Sequence, residues 1–186
     1  MTWNVPNILT VLRMLAAPGV PLIYLFCDGE MAALAALILF VAAAVTDWFD
    51  GYLARKWDQQ SRFGAMLDPI ADKAMVVLAL MVLVGASDLN GWLLFPATLI
   101  LLRETFVAGL REFLGADAQL LQVTKLAKWK TTAQMVSIAL LFLGLALDGG
   151  FFWSLGLILI WIAGALTLIS GADYLRKSMS FLAGPK

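Results

Sequence analysis

Long apolar stretches run along the chain at residues 8–26, 31–46, 67–86, 92–111, 132–147 and 151–172, the second continuing in more polar character to residue 56. Each is near the ~20 residues that carry a helix across the hydrocarbon of a bilayer, which predicts six transmembrane helices in an all-α integral membrane protein. Turn-forming residues break the pattern at Cys27-Asp28-Gly29-Glu30, Ser87-Asp88-Leu89-Asn90-Gly91 and Asp148-Gly149-Gly150, and none of these breaks carries Lys or Arg. The other connections hold the basic residues: Arg55, Lys56 and Arg62 between the second and third spans, Arg111, Lys125, Lys128 and Lys130 between the fourth and fifth, and Arg176, Lys177 and Lys186 at the tail. Because basic loops stay on the cytoplasmic side, this alternation places both termini and both basic connections there. The segment from Leu114 to Thr124 is the longest outside the spans and a candidate to lie along the interface, its apolar pattern being too short to decide. No repeat, low-complexity tract or soluble domain interrupts the pattern, so residues 1–186 read as one membrane domain.

Composition sharpens this picture by exclusion. With 62% hydrophobic and 14% charged residues the chain is too apolar for an ordinary soluble domain. Thirteen Lys plus Arg against thirteen Asp plus Glu leave no net charge, which argues against nucleic acid as a partner. Cys27 is the single cysteine and there is no histidine, so thiolate clusters, intrachain disulfides and imidazole chemistry are all excluded. Any acid–base chemistry falls to carboxylates and lysines, and any metal would be a hard, oxygen-bound cation. Asn4, Pro6, Asn7 and Thr10 interrupt what a signal peptide would need, so the N-terminus is expected to stay in the mature protein.

One run concentrates the acids: Asp47-Trp48-Phe49-Asp50-Gly51-Tyr52-Leu53-Ala54-Arg55, then, after eight residues, Gly64-Ala65-Met66-Leu67-Asp68-Pro69-Ile70-Ala71-Asp72. On helices, 47, 50, 51 and 54 share one face and 64, 68 and 72 another, and a turn between them brings the two faces together. Four carboxylates at a membrane border repel one another and lose hydration, so protons or cations must neutralise them. Two divalent ions balance the charge and suit a diphosphate-containing substrate. Gly51, Ala54 and Gly64 keep those faces small enough for a ligand to approach the backbone. Asp68 before Pro69 also reads as a helix N-cap followed by proline at the first helical position, a purely structural alternative for that residue. Capping does not account for Asp47 and Asp50, which fall near a helix C-terminal end where the dipole disfavours anions.

The run from Asp47 to Asp72 resembles the signature of the CDP-alcohol phosphatidyltransferase family, Asp-x2-Asp-Gly-x2-Ala-Arg-x8-Gly-x3-Asp-x3-Asp, at every specified position. The resemblance implies six transmembrane helices, a homodimer, and a site opening to the cytoplasm. It implies Mg2+ or Mn2+ as cofactor, two ions held by Asp47, Asp50, Asp68 and Asp72, with Asp72 doubling as general base. Gly51, Ala54, Arg55 and Gly64 would cradle the nucleotide of CDP-diacylglycerol, and CMP would be displaced directly, with no covalent enzyme intermediate.

Polar residues outside the signature bear on the acceptor. Asn7, Thr10 and Arg13 recur at three-residue spacing on one helical face, where Asn7 and Thr10 are candidates for contact with CDP-diacylglycerol. Arg103, Arg111, Lys128 and Lys130 gather at the basic face and suit an acceptor that itself carries phosphate. Buried pairing of Arg103 with Glu104 and of Arg111 with Glu112, and anchoring by Lys125, Lys128 and Lys130, are the structural alternatives. The words Asn7-Ile8-Leu9-Thr10-Val11-Leu12-Arg13, Leu102-Arg103-Glu104, Leu110-Arg111-Glu112 and Lys128-Trp129-Lys130-Thr131-Thr132-Ala133-Gln134 look like the bacterial phosphatidylglycerophosphate synthase group of that family. This implies sn-glycerol 3-phosphate as acceptor, its phosphate meeting Arg103, Arg111, Lys128 and Lys130, and residence in the bacterial inner membrane. Inositol phosphate, serine or phosphatidylglycerol as acceptor would leave the signature unchanged. A divalent-cation transporter is the rival of another class, but the acids crowd one edge and the opposite halves of the spans carry no second acidic group to form a path.

Overall fold

The structure, a computed structural model, describes residues 4–57, 61–115 and 125–182, without the side chains of Ala54, Arg55, 125–128 and 180–182. Among the described residues seven helices follow one another: α1 Val5–Ala16, α2 Gly19–Phe26, α3 Gly29–Lys56, α4 Arg62–Ala86, α5 Gly91–Leu114, α6 Lys125–Ala146 and α7 Gly150–Leu182. They make six apolar segments long enough to cross a membrane, because α1 and α2 together form the first, Val5–Phe26. The first stretch is therefore two helices where the hydropathy pattern predicts one. Pro18 causes the break: it has no N–H to continue the ladder, so α1 closes with the Ala17 amide on the Arg13 carbonyl and α2 restarts after Pro18. Gly19 at the bend lets α3 come close, since a Cβ there would stand 2.9 Å from Leu39 Cδ2.

The helices pack as neighbours should when lipid, not water, surrounds them. α1 lies against α3 and α4, α6 against α3 and α7, and α5 against α7. Phe40, Leu80, Leu83, Ile138, Leu141 and Phe142 fill the middle. Between α6 and α7 small residues set the spacing: a Cβ on Gly144 would meet the Trp153 backbone nitrogen at 2.7 Å, and one on Gly156 would meet Leu141 Cγ at 2.8 Å. The connections between α2 and α3, α4 and α5, and α6 and α7 are tight turns, with positive φ at Gly29, Asp88, Leu89 and Asp148. α7 extends to residue 182, beyond the end its hydropathy suggests. At 33 residues and 1.5 Å per residue it is about 50 Å long, so its last turns outrun the ~30 Å of hydrocarbon. α3, at 28 residues, likewise carries its acidic end past the apolar layer.

Helix α1 is turned inside out relative to a soluble amphipathic helix. Its buried residues are Pro6, Asn7, Thr10 and Arg13, while Val5, Ile8, Leu12 and Leu15 are exposed. In lipid the apolar stripe belongs outside, and a polar stripe is tolerated only against polar partners in the bundle. Those partners are the aspartates of α3 and α4.

Candidate active site

α4 starts earlier than Asp68. Ser61 is its N-cap, its hydroxyl accepting from the Gly64 amide at 3.0 Å, and Pro69 lies inside the helix. Asp68 is thus in a helix interior, and the capping alternative for it falls away. Freed from that role, Asp68 and Asp72, one turn apart on α4, face Asp47 and Asp50 near the end of α3.

All four carboxylates close on a residue from a third helix. Arg13 of α1 donates from Nη1 to Asp47 and, at 2.6 Å, to Asp72, and from Nη2 to Asp50 at 3.2 Å and Asp68 at 3.4 Å. The guanidinium is almost fully buried, with 2% of its side chain exposed, and its Nε has no hydrogen-bond partner. Asp50 is buried with it, whereas the side chains of Asp47, Asp68 and Asp72 are 42%, 46% and 52% exposed and open to ligand. Thr10 is within hydrogen-bond distance of Asp68, its hydroxyl 2.8 Å from Oδ1. Asn7 accepts from the Ser61 hydroxyl at 2.7 Å, and a Cβ on Gly64 would come within 2.9 Å of the Asn7 Oδ1. A side chain at 64 would therefore have to displace the Asn7 amide and the Ser61 hydroxyl bonded to it. Gly51 follows Asp50 on α3; the side chains of Ala54, Arg55 and Lys128, and residues 116–124, lie outside the described residues.

Two cavities meet at Asp72. One, of about 310 Å³, is bounded by Arg13, Asp47, Trp48, Asp72 and Met135. It shares Ala44, Trp48, Met135 and Val136 with an almost wholly apolar groove between α3 and α6 that reaches Phe40 and Ala139. The other, of about 260 Å³, is the more polar of the two, and its walls carry Lys73, Glu104, Arg111, Lys130 and Gln134. Asp72 lines both, so one carboxylate stands at the border between an apolar-backed space and a cationic one.

The cationic cavity departs from the sequence reading in two ways. Arg103 does not line it: its guanidinium sits behind the wall, donating to Glu104 at 3.0 Å and to Ser170 of α7 at 3.2 Å. Lys73 does line it. Being one position after Asp72 it points about 100° around α4, away from the aspartate face, and no motif marked it. Lys130 is buried and paired with Glu104, which Arg103 also binds, so Glu104 ties α5 to α6. Tyr174 of α7 is a further residue the sequence reading passed over. Its ring lies 5.6 Å from the Arg103 guanidinium and 5.5 Å from that of Arg111, and its hydroxyl accepts from Arg111 Nη2 at 3.2 Å. Only α7 running past the apolar layer brings it there. Replacing Tyr174 with Leu removes the surface that holds Arg111, so the acceptor KM should rise several-fold with the donor KM unchanged, while Phe, which keeps the ring face, should lose less. Equal changes in both constants would mean general loosening.

Two helices thus bring four aspartates against the polar stripe of a third, and the sequence that builds this arrangement has relatives. The model of the CDP-alcohol phosphatidyltransferase family matches residues 3–169. The chain belongs to that family. It is 55% identical to the CDP-diacylglycerol–glycerol-3-phosphate 3-phosphatidyltransferase of Cereibacter sphaeroides, with all of both chains covered. Proteins of the same name from Rickettsia bellii and Shigella flexneri are 41% and 40% identical, covering 96% and 98% of this chain and 97% and 98% of their own. The family is generally dependent on divalent cations.

The donor set fits such ions chemically: four carboxylates are hard oxygen ligands, and one guanidinium offsets only part of their charge. As they stand they surround Arg13, not a common metal position, and no set of acidic side chains among the described residues is closed to metal-ligand geometry.

Proposed function

We propose that the chain transfers the phosphatidyl group of CDP-diacylglycerol to sn-glycerol 3-phosphate, releasing CMP and forming phosphatidylglycerophosphate. The observation that carries this reading is the position of Asp72 between the two cavities. An apolar groove opening onto the aspartates suits a donor with two acyl chains and a charged head. A cavity walled by Lys73, Arg111 and Lys130 suits an acceptor carrying phosphate. The names of the relatives point to the same pair of substrates.

In this reading Asp47, Asp50, Asp68 and Asp72 hold Mg2+ or Mn2+, two ions by charge, which when bound neutralise the donor's diphosphate and stabilise the departing CMP. Asn7, Thr10, Gly51 and Gly64, with Ala54 and Arg55 by resemblance, shape the space for the nucleotide. Arg111, Lys130 and Lys73, joined by Lys128 by resemblance, orient the acceptor phosphate so that a hydroxyl of the glycerol faces Asp72. Asp72 takes the hydroxyl proton as that oxygen bonds to the phosphorus of the phosphatidyl group and the bond from phosphorus to the CMP oxygen breaks. Arg103 works one step back, holding Glu104 and thereby Lys130. The basic residues at one end of the bundle support a cytoplasmic site with both termini on that side, in a bacterial inner membrane, and family resemblance supports a homodimer of single-domain subunits.

Release of CMP from CDP-diacylglycerol with a panel of acceptors tests this. Glycerol 3-phosphate should support turnover far better than serine, inositol phosphate or phosphatidylglycerol. Arg111→Ala and Lys130→Ala should each raise the KM for glycerol 3-phosphate by about tenfold or more while changing that for the donor little, as loss of a charge-assisted contact to one substrate requires. A preference for an uncharged acceptor would refute the assignment.

A further inference from the structure

Arg13 has no part in the substrate contacts proposed above. It is the only group from α1 among the four aspartates with a charge to match theirs, and each of its two terminal nitrogens meets two carboxylates. A guanidinium so placed occupies the space between the carboxylates that a cation bound to all of them would need. The hydrogen bonds of its terminal nitrogens run to the four carboxylates, while its buried Nε has no hydrogen-bond partner. Arg13 also lines the cavity that contains Asp47 and Asp72, so it has somewhere to go without unpacking α1.

We infer that Arg13 is an exchangeable counter-ion of the carboxylate cluster: it neutralises the aspartates while no divalent cation is bound, and loading of the cation displaces it. The inference rests on the reading of the four aspartates as metal ligands. Physically, the four acids cannot stand together ionised near the membrane border without compensation, and a resident cation lets the bundle fold before it is loaded. The same cation competes with the metal, so apparent metal affinity is lowered by the work of moving it out. Arginine suits this better than lysine, because its planar fork reaches several carboxylates at once and stays charged.

The test is Mn2+ binding to the purified, chelator-stripped full-length chain in detergent, followed by electron paramagnetic resonance of free Mn2+, with thermal unfolding of the same samples. Arg13→Gln, similar in reach but uncharged, should bind Mn2+ about tenfold or more tightly than the parent. Its unfolding midpoint should fall in the stripped state and recover on adding Mg2+, enlarging the Mg2+-induced shift. Arg13→Lys, whose ammonium meets fewer carboxylates, should lie between the two and carries the test if Arg13→Gln does not fold. Arg176→Gln, which removes an exposed cation from α7, should bind like the parent. Weaker or unchanged Mn2+ binding in the folded Arg13 variants overturns the inference, since Arg13 would then assist the metal or ignore it. An equal gain in Arg176→Gln overturns it too, as a general charge effect. No Mn2+ binding by any of the chains removes the metal reading itself, and the inference with it.

Discussion

Asp72→Asn should lower kcat by ~10²–10⁴-fold while leaving the KM for CDP-diacylglycerol near that of the parent, the range in which loss of a general base falls. The substitution keeps the size of the side chain and an oxygen to face Arg13, so the packing of α1 on α4 survives it. What it removes is the capacity to accept a proton where the two cavities meet, and with no histidine in the chain no imidazole stands ready to replace it. Asp88→Asn, in the turn between α4 and α5 at the opposite end of the spans, is the control and should be nearly silent. Purified Asp72→Asn turning over within about threefold of the parent, at saturating metal and with its fold verified, would end the base assignment. Recovery of a crippled variant by excess metal would instead make Asp72 a ligand only, so the same assay run across metal concentrations separates the two roles.

Removal of divalent cations should have a comparable or larger effect. Arg13 brings one positive charge to four carboxylates, and a donor bearing a diphosphate adds further negative charge at the same place. Like charges at this range, partly shielded from water, repel by kilocalories, so the donor should neither bind nor react productively without added cations. Excess chelator is expected to reduce CMP release by at least about a thousandfold, the scale set by several kcal/mol of lost charge stabilisation, and Mg2+ or Mn2+ should restore it. Undiminished turnover in excess chelator would mean that Arg13 and the lysines suffice, and the aspartates would need another purpose.

Both expectations begin with residues visible in the linear chain. Number and position of the spans follow from hydropathy because a bilayer demands about twenty apolar residues per crossing whatever the helices do next. The four aspartates are visible for a similar reason: helical periodicity puts 47 with 50 and 68 with 72, and acids at a span's edge are costly enough to call for an explanation. Asn7, Thr10 and Arg13 also share a face by periodicity alone, although where that face points does not follow from it.

Other features depend on which helices touch. That Arg13 meets α3 and α4 at the aspartates is a matter of packing between residues more than thirty positions apart, and neither spacing nor charge specifies it. Arg103 and Lys73 exchange places relative to the cationic cavity because a residue on a helix reaches a cavity or a neighbour according to the rotation of that helix, which packing sets and composition does not. Tyr174 joins the two arginines only because α7 continues past its apolar segment and lies against α5. The sequence by itself determined a six-span membrane bundle with an acidic edge, since both are written in local periodicity and in the cost of placing charge near lipid. Only the tertiary structure decided that a buried arginine sits within that edge and that Asp72 is shared by two cavities, because long-range helix contacts, not neighbouring residues, choose the partners of each charge.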